Sequence, residues 1–180
     1  MSITAIIIAK NEENMIANCI EGLRWCDEIL VIDNGSTDTT ATLAEKLGAR
    51  VISFTSDNFS RVRNEGLKRS KTDWVFYIDA DERVTPSLAR EIMVNVETGS
   101  GSAFKILREN VCYGHHLTKG GWDEDFVTRV FRKEKLEKWE GKIHESPYFV
   151  GETILLKQPL IHLTHRSTRD NLLKSAEWTI

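Results

Sequence analysis

Hydrophobic and polar positions alternate between two rhythms along the first half of the chain. Thr4-Ala5-Ile6-Ile7-Ile8-Ala9 is β-branched and free of charge, the pattern of a strand buried on both faces. After Asn11, residues Met15, Ile16, Cys19, Ile20 and Leu23 recur at helical spacing. Glu12 and Glu13 are expected in the first turn of that helix, where the dipole favours negative charge. Ile29-Leu30-Val31-Ile32 predicts a second strand, closed by the turn Asn34-Gly35-Ser36. Thr37 or Asp38 can cap a helix carrying Leu43, Ala44 and Leu47, which Gly48 ends. Val51 to Phe54 reads as a third strand, Phe59 to Arg69 as a basic helix, and Trp74 to Ile78 as a fourth strand. Thr85-Pro86 opens another helix, with proline in the tolerated first turn.

This strand–helix alternation implies an α/β fold with a mainly parallel sheet and helices on both faces. Ligands of such sheets bind beyond the carboxyl ends of the strands. Asn11, Asp33, Asp79 and Asp81 all stand at or just past such an end. The second half differs. It offers strands at Ala103 to Leu107 and Phe126 to Phe131, the Gly-rich stretch Gly114 to Gly121, and a last strand at Leu160 to Leu163. A terminal helix with Leu172, Leu173 and Ala176 on one face follows. Its pattern is still running at Ile180, as in a chain cut short there or one whose partner surface lies elsewhere.

Composition narrows the class. Hydrophobic residues at 41% and charged residues at 28% fit a soluble globular domain. A net charge of -3 gives no global field for nucleic acid, so no nucleic-acid partner is expected. Arg61, Arg63, Lys68, Arg69 and Lys71 cluster locally and suit a small anionic ligand. The longest apolar run, Ile3 to Ala9, is too short to span a bilayer, and the N-terminus lacks the flanks of a signal peptide. A cytoplasmic location is expected. Cys19, Cys26 and Cys112 form no C-x-x-C pair, which favours reduced thiols over a disulfide or zinc framework.

Candidate chemistry gathers at a few points. Asp79 and Asp81 follow a buried strand, where two carboxylates at i and i+2 can converge on a hard cation such as Mg²⁺ or Mn²⁺. Alone, Asp-x-Asp is commonly a solvated turn; its place after this strand favours the functional reading. Asp33 is either a ribose or base acceptor or a turn former closing Asn34-Gly35. Arg63 and Asn64 head a helix region suited to phosphates, whereas Lys68, Arg69 and Lys71 read as a solvated face. Beyond the turn at Gly141, His144-Glu145 offers a general base, with Asp123, Glu124 and Asp125 as the competing acidic cluster. For either group a surface turn is the alternative. His162 and His165 end the last strand; His162 can give a neutral imidazole to a cation. Trp122, Trp139 and Trp178 suit sugar stacking, membrane contact or core packing.

Together these residues resemble the family 2 glycosyltransferases of the A-type glycosyltransferase (GT-A) fold. The nearest subgroup holds lipopolysaccharide core β-1,4-glucosyltransferases. The matching segments are Ile7 to Glu13, Val31 to Thr40, Arg63 to Leu67, Asp73 to Glu82, Arg129 to Arg132 and Ile143 to Glu145. The resemblance implies a single Rossmann-like nucleotide-sugar-binding domain, with residues 1–98 as the nucleotide half and 99–180 as a smaller acceptor-side β region. It implies nucleoside contacts from Ala9, Asn11, Glu12 and Asp33, and nucleotide contacts from Arg63, Asn64, Asp79 and Ala80. A divalent cation held by Asp79, Asp81 and His162 would bridge the diphosphate of the donor, with a UDP-sugar favoured. Inversion at the anomeric carbon would use Glu145 as base in preference to Asp125. Many relatives carry Glu-Asp where this chain has His144-Glu145, and the Leu163 to Arg166 segment also departs from a Tyr-rich version. The acceptor would be a glycan or lipid-linked saccharide, with peripheral contact at the inner membrane surface in keeping with it.

Two other functions fit parts of the sequence. A sugar-phosphate nucleotidyltransferase would carry a glycine-rich basic loop after the first strand, where this chain has Ala9-Lys10-Asn11-Glu12-Glu13. A non-catalytic nucleotide- or glycan-binding module would not need Asp79, Asp81 and Glu145 together.

Overall fold

The structure is a computed structural model, and it describes residues 1–117, 119, 124–142 and 145–164. Chain order runs β1 (Ile3–Ala9), α1 (Ile16–Glu21), β2 (Glu28–Asp33), α2 (Thr40–Lys46), β3 (Arg50–Ser53), α3 (Phe59–Arg69) and β4 (Trp74–Asp79). It continues with β5 (Glu82–Arg83), α4 (Pro86–Thr98), β6 (Ala103–Cys112), β7 (His115–His116) and β8 (Phe126–Arg132). The hairpin strands β9 (Leu136–Glu140) and β10 (Ser146–Phe149) follow, then β11 (Thr153–Leu155) and β12 (Leu160–Leu163). The expected terminal helix, with Trp178, lies outside the described residues, as do Trp122, Asp123, His144 and His165.

The main sheet runs β3-β2-β1-β4-β8-β6-β12-β5. Strands β3, β2, β1 and β4 are mutually parallel; β8 then reverses against both β4 and β6. Strand β12 returns parallel to β6 and pairs antiparallel with β5, which brings Glu82 opposite His162.

Pleating sorts the apolar strands onto two faces. Ala5, Ile7 and Ala9 of β1 and Trp74, Phe76 and Ile78 of β4 join Ile16 and Ile20 of α1, Ala44 of α2 and Leu88 and Ile92 of α4. Their neighbours Ile6, Val75 and Tyr77 face the other way, with Val62 of α3 and with Leu136 and Trp139 of β9. Helices therefore cover both faces, as the unbroken apolar strands require.

Helix α3 lies close because of Gly66: a Cβ there would stand 2.6 Å from Ile6 Cγ2. Helix α4 has Thr85 as N-cap, accepting from the Leu88 N–H, with Pro86 in the first turn. It ends at Gly99 in the left-handed conformation. Helix α1 starts later than its sequence pattern predicts. Asn11 has φ 54°, and Glu12 and Glu13 belong to the loop, where their backbone N–H groups donate to Thr40 and Asp38. Helix α2 likewise starts after Thr39 with no side-chain cap on that residue.

Candidate active site

The site forms beyond the carboxyl ends of β1, β2 and β4 and has two sides. On the first, loops after β1 and β2 are stitched together by hydrogen bonds. The Asn11 side-chain oxygen accepts from the Thr37 N–H at 2.8 Å, and the Asn11 N–H donates to Ser36 Oγ. Glu13 Oε2 accepts from both the N–H and the hydroxyl of Thr39. Asp33 is buried and accepts the Ser36 N–H on both carboxylate oxygens at 3.3 Å, so its turn-forming role is realised. Ala9 is buried at the end of β1, and Ala80 between the two aspartates.

The second side is a network of charges drawn from distant parts of the chain. Asp79 ends β4 with a third of its side chain exposed; its Oδ2 lies 2.6 Å from Arg129 Nη2 and its Oδ1 3.4 Å from Arg63 Nη2. Glu82 is fully buried. It accepts the Asp79 backbone N–H at 2.9 Å and meets Arg129 at 2.8 Å. Burial works against the ionised form of Asp79, yet the Arg129 and Arg63 guanidiniums outweigh it and hold its carboxyl far below the usual range. Burial pushes the Glu82 carboxyl up, against the pull of Arg129. Arg63 also donates through Nε to Glu145 at 2.7 Å and lies 4.8 Å from the Trp139 ring centre.

These residues line a cavity of about 450 Å³, walled by Arg63, Asp79, Arg108, Arg129, Trp139 and Glu145. Arg63 Nη1 and Arg129 Nε, on two arginines of the cavity wall, are buried without a hydrogen-bond partner among the described residues.

The structure brings together Asp81 and His162, whose Oδ2 and Nε2 are 3.8 Å apart. Ligands to an octahedral cation at about 2.1 Å stand roughly 3 Å apart when adjacent and roughly 4.2 Å when opposite; the 3.8 Å here lies between the two, so a side-chain shift of under about 1 Å would seat both atoms on one ion. Asp79 does not join them to form a cluster: both of its oxygens are engaged by arginines, and the described residues hold no group of three acidic, His or Cys ligands. Asn64 is tied to the fold. Its oxygen accepts from the Trp139 N–H at 2.8 Å and its amide donates to the Trp139 carbonyl at 2.9 Å, fixing α3 to β9. Asp125 Oδ2 accepts from Arg108 Nε and Asn110 Nδ2, both at 2.8 Å, and Asp125 is not among the residues of the cavity wall. Trp139 is core, packed edge-on to Tyr77 and Phe131. Cys19 is buried and Cys26 and Cys112 half-buried, all unpaired.

Four charged or polar participants carry no role in the sequence reading: Glu82, Arg108, Asn110 and Arg129. Arg129 had a signal, a cation in a short strand with Val127, Val130 and Phe131. Buried Glu82 is its counterion, visible only once β4 and β8 pair.

A parallel sheet with this switch to reversed strands, and carboxylates gathered at its carboxyl edge, defines the A-type glycosyltransferase fold. Residues 4–146 match Glycosyl transferase family 2, and the chain belongs to that family. It is 30% identical over 154 residues to the lipopolysaccharide core biosynthesis glycosyltransferase LpsC of Rhizobium meliloti, covering 81% of this chain and 57% of LpsC. A TPR repeat-containing protein of Synechococcus elongatus is 28% identical across 87% of this chain, which spans 37% of that protein. The chain thus spans well under two thirds of these relatives. Staphylococcus aureus TarS 1–349, solved with UDP-GlcNAc, superposes with a TM-score of 0.72 at 15% identity, covering 93% of this chain and 60% of TarS; that likeness carries the fold. Glucosyl-3-phosphoglycerate synthase of Mycobacterium tuberculosis, solved with Mn²⁺, UDP and glucosyl-3-phosphoglycerate, is 26% identical at a TM-score of 0.51, over 61% of this chain and 44% of that one. No helix among the described residues is long and apolar enough to cross a membrane.

Proposed function

We propose that this chain is the transfer domain of an inverting glycosyltransferase that moves a hexose from a UDP-sugar to a saccharide acceptor. The observation that carries the reading is the pairing of Asp81 with His162 at 3.8 Å, at the rim of a sheet whose adjoining cavity is walled by Glu145 and by arginines with unpaired N–H groups. Kinship with LpsC supports a lipopolysaccharide-type saccharide as acceptor, and kinship with the mycobacterial synthase supports UDP and a divalent cation.

In this reading Asp81 and His162 hold Mg²⁺ or Mn²⁺. When bound, the ion neutralises negative charge on the leaving diphosphate as a Lewis acid. Glu145 takes the proton of the acceptor hydroxyl while that oxygen attacks the anomeric carbon. The anomeric bond to the diphosphate breaks with its electron pair leaving on phosphate oxygen. Arg63 orients Glu145 through the 2.7 Å bond. Glu145 is preferred to Asp125 as base because it lines the cavity, whereas Asp125 is committed to Arg108 and Asn110. Asp79 acts as an electrostatic keel, holding the two arginines in place.

The test is a thermal-shift panel of nucleotide sugars with and without Mn²⁺, followed by a transfer assay on Glu145→Gln and Asp125→Asn. Stabilisation by one donor only when Mn²⁺ is present is expected. Glu145→Gln should abolish transfer while that stabilisation persists. Full activity in excess chelator, or loss of transfer in Asp125→Asn alone, overturns the corresponding assignment.

A further inference from the structure

Behind Asp81 and His162 runs a chain of polar contacts with a fixed direction. Asn110 of β6 is buried, 1% exposed, in the strand that pairs with β12 and sets it opposite His162. Its Nδ2 stands 2.8 Å from Asp125 Oδ2 and 3.4 Å from the Arg108 carbonyl, and its Oδ1 stands 2.7 Å from His162 Nδ1. Both neighbours on the nitrogen side are acceptors. Asp125 is ionised: burial opposes this, but hydrogen bonds from Arg108 and Asn110 hold its carboxyl below the ordinary range. The amide can therefore face only one way, with N–H toward the carboxylate and oxygen toward the imidazole. An amide oxygen cannot donate, so Nδ1 of His162 carries the ring proton.

We infer that Asn110, braced by Asp125 and Arg108, is a positioning residue that locks His162 as the Nδ1–H tautomer and aims an Nε2 lone pair beside Asp81 at a divalent cation. Outside a protein, histidine favours the other tautomer, with the proton on Nε2, which cannot ligate through that atom. Across the 3.8 Å between Asp81 Oδ2 and Nε2, two electron-pair donors then face each other, an arrangement that a cation relieves. This rests on the reading of Asp81 and His162 as cation ligands. It also gives Asp125 a different task from that of a base: it fixes the orientation of Asn110.

The experiment has two readouts. Long-range ¹H–¹⁵N correlation spectra of ¹⁵N-histidine-labelled, metal-free protein at neutral pH report the protonation of each ring nitrogen of His162, assigned with His162→Gln. A proton on Nδ1 and none on Nε2 is expected in the wild type. Asn110→Leu should release the ring to the Nε2–H form. Titration with Mn²⁺ alone, followed by electron paramagnetic resonance, should show Asn110→Leu binding about 10- to 100-fold more weakly than the wild type. A wild-type His162 protonated on Nε2, alone or on both nitrogens, overturns the inference even if Mn²⁺ binds tightly; so does unchanged Mn²⁺ affinity in Asn110→Leu. If the wild type shows the Nδ1–H form but binds no Mn²⁺, the tautomer lock stands and the cation reading falls. The wild-type spectrum decides the matter even if Asn110→Leu does not fold.

Discussion

The two sides of the site are built from different forces. Between the β1 and β2 loops the contacts are hydrogen bonds in which one partner is usually a backbone N–H, such as Thr37 to Asn11 and Ser36 to Asp33. Around the cavity the contacts are ion pairs between side chains far apart in sequence: Arg63 with Glu145, Arg129 with Asp79, and Arg129 with Glu82. The first side spreads its contacts over many hydrogen bonds between two loops, so the loss of any one should cost little. The second is a balance of buried charges, so removing one member strands its partner.

The strongest way to test that contrast is Arg129→Met, which leaves buried Glu82 without its main counterion. It should cost about 3–5 kcal/mol in urea unfolding. Adding Glu82→Leu should recover much of that loss, and a double variant no more stable than Arg129→Met would break the charge-balance account. Next comes Asp81→Ala, expected to lower turnover at least about 100-fold, equivalent to roughly 3 kcal/mol of transition-state stabilisation, with little change in unfolding. Between the two sides sits α3, which carries Arg63. Gly66→Ala should cost about 1–3 kcal/mol by pressing on Ile6, and it should weaken transfer along with stability. The smallest effect belongs to the stitched loops. Asn11→Gly keeps the φ of 54° accessible and removes the bond to Thr37, so about 1 kcal/mol is expected. Asn11→Ala, which must also bear that φ, should cost more than Asn11→Gly; equality would show that the backbone there relaxes.

The same contrast explains what the sequence disclosed. Strands β1 to β4 and helices α3 and α4 were legible because their signals are local: unbroken β-branched runs, the helical periodicity of α4, and the Thr85-Pro86 start. The late start of α1 was not, because Glu12 and Glu13 are drawn into contacts with Thr40, Asp38 and Thr39 some 25 residues away. Hairpin β9–β10 was missed as well. Leu136 to Glu140 is mostly polar, and only Leu136 and Trp139 face the core. Asp79, Asp81, Glu145 and His162 could be singled out by type and place. Which of them meet could not, since that depends on how β8, β6 and β12 line up across the sheet.

The alternation of faces along β4 has an evolutionary consequence. Trp74 through Ile78 have both faces covered, so parity along the strand is fixed. One residue gained or lost before Asp79 would turn every following side chain to the opposite face. Arg63 and Arg129 would then lose the carboxylate they share. Family members can therefore trade residue types within this strand, but insertions and deletions there should be purged and should accumulate instead beyond α4.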